Sequence, residues 1–509
     1  MPIVAVLFAV VLIASAPRYG YHRDELYFLA AGRHLSWGYP DQPPLTPLIA
    51  KAMAAIDPDS LFVLRLPAVL AATLVVVCAG LMAREFGGGR GAQALAAATV
   101  ASAAFVMGVG HLLSTAVFDL AAWSVVSLVV LKLIRAIGVS AEADPPGESE
   151  GRVAGPEGVQ AGYRNLLWLS GPRWWLVIGL VIGVGLQNKL LLIFPVLALL
   201  VSLVVFGPRK LFATKFFPLA IGIAVLLWLP YLVWQSSNGW PQWEMSRAIA
   251  GGSSGTSDSP IMFVLLQFGL IGPLLVPLWV FGLWRLAREK RYRAFAAAYG
   301  LLFVLFLATG GKAYYLGGMY PILLAAGAVP FAAWLGQQRK RWAAVSFVVA
   351  ANVISSAILF LPVLPLSALK DSPVLGINYD AGETIGWPEF TRQVGEVRAR
   401  LGTDVAILTD NYGEAGAIER FGGPYNLPKP HSGHNSYWWW GPPSDTATEV
   451  LTVGLDRDYL ARFFTDIEPA GHIDNTRDID NDEQGAPLFI CKNLRAPWSE
   501  LWPEAKHLG

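Results

Sequence analysis

The feature that most constrains this chain is a series of apolar runs that recurs up to about residue 363 and then stops. Runs near 3–16, 61–83, 92–109, 113–134, 174–186, 190–206, 216–234, 261–284, 294–309, 317–335 and 343–363 predict eleven helices. Inside a bilayer a segment must satisfy its own backbone N–H and C=O groups, so runs of this kind read as membrane helices. A straight span needs ~20 residues, so the shorter runs are expected to be re-entrant or to borrow flanking aromatics. The first run lacks a basic leader and is read as a retained helix, not a signal peptide. Composition points the same way. Apolar residues make up 54% of the 509 and charged residues only 15%, against roughly 25% charged in an average soluble protein. An ordinary soluble enzyme and a disordered chain are both excluded. The expected fold class is a polytopic α-helical membrane protein with a C-terminal extracytoplasmic α/β domain.

The net charge of +1 hides an asymmetry. Residues 1–366 carry 26 Lys+Arg and 15 Asp+Glu, whereas residues 367–509 carry 12 and 22. The expected domains are therefore a multi-span part, 1–366, and a soluble α/β part, 367–509. In the latter, Val405–Leu408 and Leu488–Ile490 read as strands and 412–421 as a helix. Alternate loops separate cleanly by charge. One set holds 18 Lys+Arg and the other seven, which puts the first set in the cytoplasm and the second, with the tail, outside. Residues 140–163 read as a disordered cytoplasmic linker and 251–259 as a mobile external loop. The balanced total gives no reason to expect nucleic acid as a partner. Cys78 and Cys491 form neither a disulfide framework nor a CxxC site.

Unusual residues gather on the external side. His22, Arg23, Asp24 and Glu25 stand together directly after the first run. Charges so close to hydrocarbon mark a functional site by default, the plain alternative being a polar cap. Asp119 lies inside an apolar run, with Thr115 and His111 four and eight residues before it. That spacing predicts one shared helix face. Lys189 and Lys312 are each the sole base of a very short external loop, and Tyr314 and Tyr315 follow Lys312. Such a lysine either snorkels to headgroups or meets an anion. Tryptophans cluster at Trp234, Trp240 and Trp243 and again at Trp438–Trp440. They suit an aromatic belt, a core or a sugar face. No HxxxH or HxH pairing supports histidine metal ligation.

Taken together these pieces resemble the GT-C membrane glycosyltransferases. The closer match is the protein O-mannosyltransferase and lipid A aminoarabinose transferase group, glycosyltransferase family 39-like. The resemblance rests on Asp24-Glu25, on Gly38-Tyr39 with Asp41-Gln42-Pro43-Pro44-Leu45, on His111 and Asp119, and on Lys189. Trp234-Gln235, Asn238-Gly239-Trp240-Pro241 and Gly311-Lys312-Ala313-Tyr314-Tyr315 complete it. The tail segments Asn411–Ala415 and Gly433–Tyr437 look like bacterial members of unassigned acceptor. The group's aminoarabinose transferases have thirteen spans, two more than expected here.

The resemblance implies inverting transfer of a sugar from a polyprenyl-phosphate-linked donor to an acceptor hydroxyl on the outer face of the cytoplasmic membrane. The acceptor would be an envelope glycan, lipid or protein. Asp24 matches the family position of the base, Glu25 would orient it, and Asp119 would complete the acidic site. Lys189, Lys312, Tyr314 and Tyr315 would hold the donor phosphate, with Arg23 and Arg33 as lesser candidates. His111, Trp240, His434, Asn435 and Tyr437 are the candidates for acceptor or sugar contacts. Three converging carboxylates, Asp24, Glu25 and Asp119, would also suit a divalent cation, Mg2+ or Mn2+, although some relatives work without one. The rival reading is a lipid-linked sugar flippase or secondary transporter, using Asp119, Lys189 and Lys312 for coupling or headgroup passage. Against it, the charged candidates sit on one face and no matching half-repeats are visible.

Overall fold

The structure is a computed structural model that describes residues 1–142, 171–251, 259–447 and 449–509. The expected linker and mobile loop fall almost entirely outside these residues. Every apolar run of the sequence is helical. Among the described residues, five helices are long and apolar enough to cross a membrane: Leu61–Glu85, Thr115–Ala136, Phe216–Ser237, Ala313–Leu335 and Arg339–Phe360. Two bent pairs raise the number to seven if each is one span. The runs at Pro2–Ser15, Gly171–Leu186, Leu190–Phe206 and Arg293–Thr309 form shorter apolar helices of 10–17 residues. This is a multi-pass membrane protein.

The two bends share one polar anchor. Arg90–Ser102 meets Ala104–Gly110 at 65°, and Pro260–Ile271 meets Pro273–Arg288 at 83°. Each break frees carbonyls that lipid cannot satisfy. Asn352, on the Arg339–Phe360 helix, donates its Nδ2 to Ser102 O at 2.8 Å and to Ile271 O at 3.2 Å. Ser356 Oγ donates to Ser102 O as well, at 2.8 Å. One helix thus satisfies the broken ends of two others. Elsewhere the helices approach through small residues. A Cβ on Gly282 would lie 2.0 Å from Leu323 O.

The tail folds around a five-stranded sheet of order β2-β1-β3-β5-β4. Its strands are β1 (Val405–Thr409), β2 (Pro430–Ser432), β3 (Glu449–Val453), β4 (Phe464–His472) and β5 (Pro487–Leu494). β1 runs parallel to β2 and β3, while β5 is antiparallel to β3 and β4. The interior strand β1 reads VAILT and is buried throughout, as a strand covered on both faces must be. Val405 and Ile407 face one cluster, with Phe390 and Ile418. Ala406 and Leu408 face the other, with Trp498 and Trp502.

The first of these clusters also takes in Leu26, Tyr27, Leu29 and Ala30 of the Arg23–Arg33 helix. A helix of the loop after the first apolar helix is therefore part of the tail's core, and the two expected domains are fastened together by apolar packing. Ion pairs reinforce the contact. Arg23 pairs with Glu383 at 3.0 Å and with Asp482, Arg33 with Glu419 at 2.7 Å, and Arg420 with Asp59 at 2.6 Å. The opposite charges of the two parts meet here.

Candidate active site

The site starts at a helix N-terminus. His22 caps the Arg23–Arg33 helix: its Nδ1 accepts from Asp24 N at 3.2 Å, while Glu25 Oε2 accepts from His22 N at 2.9 Å. This reciprocal capping box fixes the first turn. It also turns the two adjacent acids in different directions. Glu25 is fully buried. Its oxygens accept from Arg65 Nε (2.9 Å), Arg65 Nη2 (2.8 Å) and Leu113 N (2.9 Å), in addition to the cap. Burial alone would raise this carboxyl. The Arg65 charge and these hydrogen bonds outweigh it and hold the group below its usual value. Arg65 is itself 1% exposed and also donates to Ala16 O and Gly20 O, at 2.7 and 2.6 Å. Glu25 therefore does not orient Asp24 through its side chain, contrary to expectation. It ties the loop to the membrane helices.

Asp24 points the other way and meets the tail. Tyr412 donates its hydroxyl to Asp24 Oδ1 at 2.8 Å. The local sequence explains why Tyr412 is there. Asn411 Oδ1 accepts from Gly413 N (2.8 Å) and Glu414 N (3.0 Å), and Glu414 Oε2 accepts from Asn411 N (3.2 Å). A second capping box thus starts the Tyr412–Phe421 helix with Tyr412 as its first residue. Gly413 and Gly416 permit the contact. A Cβ at Gly413 would lie 2.8 Å from Arg23 Cβ, and one at Gly416 would lie 2.9 Å from Leu26 Cβ. The Tyr412 ring packs 4.8 Å from that of Tyr27 and 4.8 Å from His434, with the Arg23 guanidinium 5.6 Å above it. Tyr412→Phe removes the donor and keeps the packing. We expect turnover to fall roughly 10-fold with a drop of a few degrees in melting temperature, since hydrogen bonds to charged groups contribute ~1.5–3 kcal/mol. Initial rates and a thermal melt on the same preparation check this.

Opposite Asp24 lies a group from the membrane helices. Asp119 and Thr115 share the Thr115–Glu142 helix as expected, one turn apart. His111 does not. The preceding helix ends at Gly110, and His111 caps it in a loop, with Nδ1 2.8 Å from Gly108 O. Burial first, and then the Arg65 charge, push the imidazole down to about 4, so it is neutral. Lys189 is placed by its neighbour Asn188, which donates to Thr115 O at 2.8 Å and accepts from Thr46 Oγ1 at 2.7 Å. The Lys189 ammonium acts on Asp119, stands 3.5 Å from Tyr314 OH, and lies 5.0 and 5.9 Å from the Tyr314 and Tyr315 ring centres. Tyr314 in turn lies in the field of Asp24, Asp380 and Asp119. The Lys312 charge reaches Asp380, whose Oδ1 is 3.8 Å from His22 Nε2. Carboxylates, two lysines and a tyrosine pair thus converge where the first loop, the helix ends and the tail meet.

The expected divalent cation is not matched by the donor set. Glu25 has both oxygens committed to Arg65 and backbone N–H groups. Among the described residues, no group of three or more His, Cys, Asp or Glu is placed to hold a metal ion. Arg23 and Arg33 are likewise engaged by tail carboxylates. Three of the expected acceptor residues have packing roles. The Tyr437 side chain is 1% exposed and donates to Glu419 at 3.2 Å. His434 stacks on His507 at 4.6 Å, and burial pushes it down to about 3. Asn435 is buried in a left-handed turn, at φ 47°. Trp240, at 50% exposure, is on the surface.

Sequence reasoning assigned no role to Arg65, Tyr412 or Asp41. The Tyr27 hydroxyl donates to Asp41 Oδ1 at 2.7 Å and meets Ser436 Oγ at 2.6 Å. Burial raises the Asp41 carboxyl to about 7 despite these hydrogen bonds, with the Asp24 charge adding to the rise.

No family model matches the sequence, and no curated protein does. Solved structures do. The crystal structure of ArnT from Cupriavidus metallidurans in the apo state superposes with a TM-score of 0.57 over 95% of this chain and 97% of that one, at 14% identity. The same protein bound to undecaprenyl phosphate gives 0.56 over 96% and 97%, at 13% identity. The chain has the fold of ArnT. The likeness runs through both the helical part and the tail, and the fold resembles that of the GT-C membrane proteins, as expected from the sequence.

Proposed function

We propose that this chain transfers a sugar, with inversion, from a polyprenyl-phosphate donor to an acceptor hydroxyl at the outer membrane face. The observation that carries the reading is the placement of Asp24 with its Tyr412 donor opposite Lys189, Tyr314 and Asp119. An ArnT structure of the same fold holds undecaprenyl phosphate. In the reaction, Asp24 takes the proton of the acceptor hydroxyl as its oxygen attacks the anomeric carbon. The bond from that carbon to the phosphate oxygen breaks, and the electron pair leaves with the phosphate. Lys189 and Lys312 stabilise the charge that builds there, and the Tyr314 hydroxyl is placed to donate to it.

The donor half is tested with undecaprenyl phosphate as the probe. Lys189→Ala and Lys312→Ala should each weaken binding roughly 10- to 100-fold, the worth of a charge-assisted contact. Lys312→Arg should recover only part of it, because the wider planar head fits differently. Unchanged affinity in both alanine variants would make the lysines interfacial anchors. The side of the membrane is tested by cysteine labelling after replacement of the buried Cys78 and Cys491. Ser444→Cys should react with an impermeant maleimide on intact cells, and Arg209→Cys only after lysis. The reverse pattern would place the site in the cytoplasm.

A further inference from the structure

Apart from the carboxylate and lysine centre, the first loop and the tail enclose a second cleft of about 350 Å³. Its walls include Tyr39, Trp234, Asn238, Ser436, Trp439 and Trp440. We infer that this cleft binds a neutral carbohydrate segment of the acceptor, which rests on the transfer reading above. The volume falls in the ordinary range of small-ligand sites. Aromatic faces alternate with neutral hydrogen-bonding groups, which is the surface a sugar ring presents in complement: C–H faces between hydroxyl edges. Among the described lining residues there is no Lys, Arg, Asp or Glu. His34, the titratable group on the wall besides Tyr39, stacks on Trp440 at 4.5 Å, and burial and the Lys429 charge lower its proton affinity. The lining itself thus carries no charged side chain, and the nearest cation to its tryptophans, Lys506, lies 4.8 Å from the Trp439 ring centre.

The cleft is built, not incidental. A Cβ on Gly38 would lie 2.6 Å from the Trp234 ring, so glycine lets the loop press against that tryptophan. Gln235, the next residue, donates to Tyr39 O at 3.3 Å and to Tyr231 OH at 2.9 Å, which holds the helix end against the loop. At the floor, Ser436 belongs to the Tyr27–Asp41 hydrogen-bond group. The Tyr27 and Tyr412 rings, 4.8 Å apart, join that group to Asp24. A sugar seated against the tryptophans thus lies beside an aromatic pair, Tyr27 on Tyr412, whose far hydroxyl donates to Asp24. The cleft exists only because the tail is docked on the first loop.

The test is binding without donor. Full-length protein in nanodiscs is titrated by calorimetry with mannotriose, arabinotriose and maltotriose, and in parallel with undecaprenyl phosphate. At least one trisaccharide should bind with a dissociation constant in the millimolar range, typical of a single shallow subsite. Trp439→Ala should weaken it about 5- to 10-fold, Trp439→Phe by less, and neither should change undecaprenyl phosphate affinity. Unchanged lipid affinity shows that the variants are folded. No binding of any of the three, or equal binding by Trp439→Ala and wild type, would overturn the inference. Failure here with donor turnover intact removes the cleft alone. Trisaccharide binding without donor turnover removes the transfer reading and leaves the cleft.

Discussion

Glu25→Ala is expected to lower the stability of the whole protein by ~3–5 kcal/mol, because it leaves a buried guanidinium without its counter-charge. Arg65 is 1% exposed, and Glu25 supplies two of its contacts. The carboxylate also satisfies the N–H groups of His22 and Leu113. One substitution therefore unpairs a charge, a helix cap and the turn before the Thr115–Glu142 helix. A thermal melt in detergent measures the loss. Removing both charges, with Glu25→Leu and Arg65→Met together, should recover part of it, since apolar replacement of a buried pair is often tolerated. Equal melting of Glu25→Ala and wild type would show that the pair is not a fastening point.

The second large effect is catalytic. Asp24→Asn keeps size and shape but cannot take a proton. Transfer should fall at least ~10²-fold while undecaprenyl phosphate binding and melting temperature stay near wild type. The neighbouring substitutions separate the two acids. Asp24→Asn removes activity without unfolding, whereas Glu25→Ala removes both. Near-normal turnover in Asp24→Asn would move the base to Asp41, a nearby carboxylate that also accepts from a tyrosine hydroxyl.

The membrane helices were legible because lipid leaves the sequence little choice. Even the two broken spans lie within runs that read as continuous, 92–109 and 261–284. Their bends were not legible, since the carbonyls they free are satisfied by Asn352 and Ser356 on a helix far along the chain. Asp24 was legible as an acid at a membrane edge. Its neighbour Glu25 was misjudged because its partner, Arg65, looks like a solitary charge near the end of an apolar run. Only the packing of two segments 40 residues apart reveals the pair. His111 was misplaced because its eight-residue spacing from Asp119 reads as one helix face, although it falls in the gap between the runs 92–109 and 113–134, where the chain leaves one helix before the next begins. Tyr412 sat in plain view in Asn-Tyr-Gly-Glu, which reads locally as a helix start. That its hydroxyl finds a carboxylate 388 residues earlier is a property of docking, and no periodicity carries it.

Breaking the bond between a sugar and a polyprenyl phosphate is the step that distinguishes a transferase from a carrier. The most direct measurement uses undecaprenyl phosphate carrying a radiolabelled sugar, reconstituted with the purified protein in proteoliposomes together with a cell-envelope extract as acceptor. The account predicts that label leaves the lipid fraction and free undecaprenyl phosphate accumulates, with both absent in Asp24→Asn. Intact labelled lipid that crosses the bilayer at the same rate in wild type and Asp24→Asn, with no sugar released, would contradict it and identify the protein as a carrier.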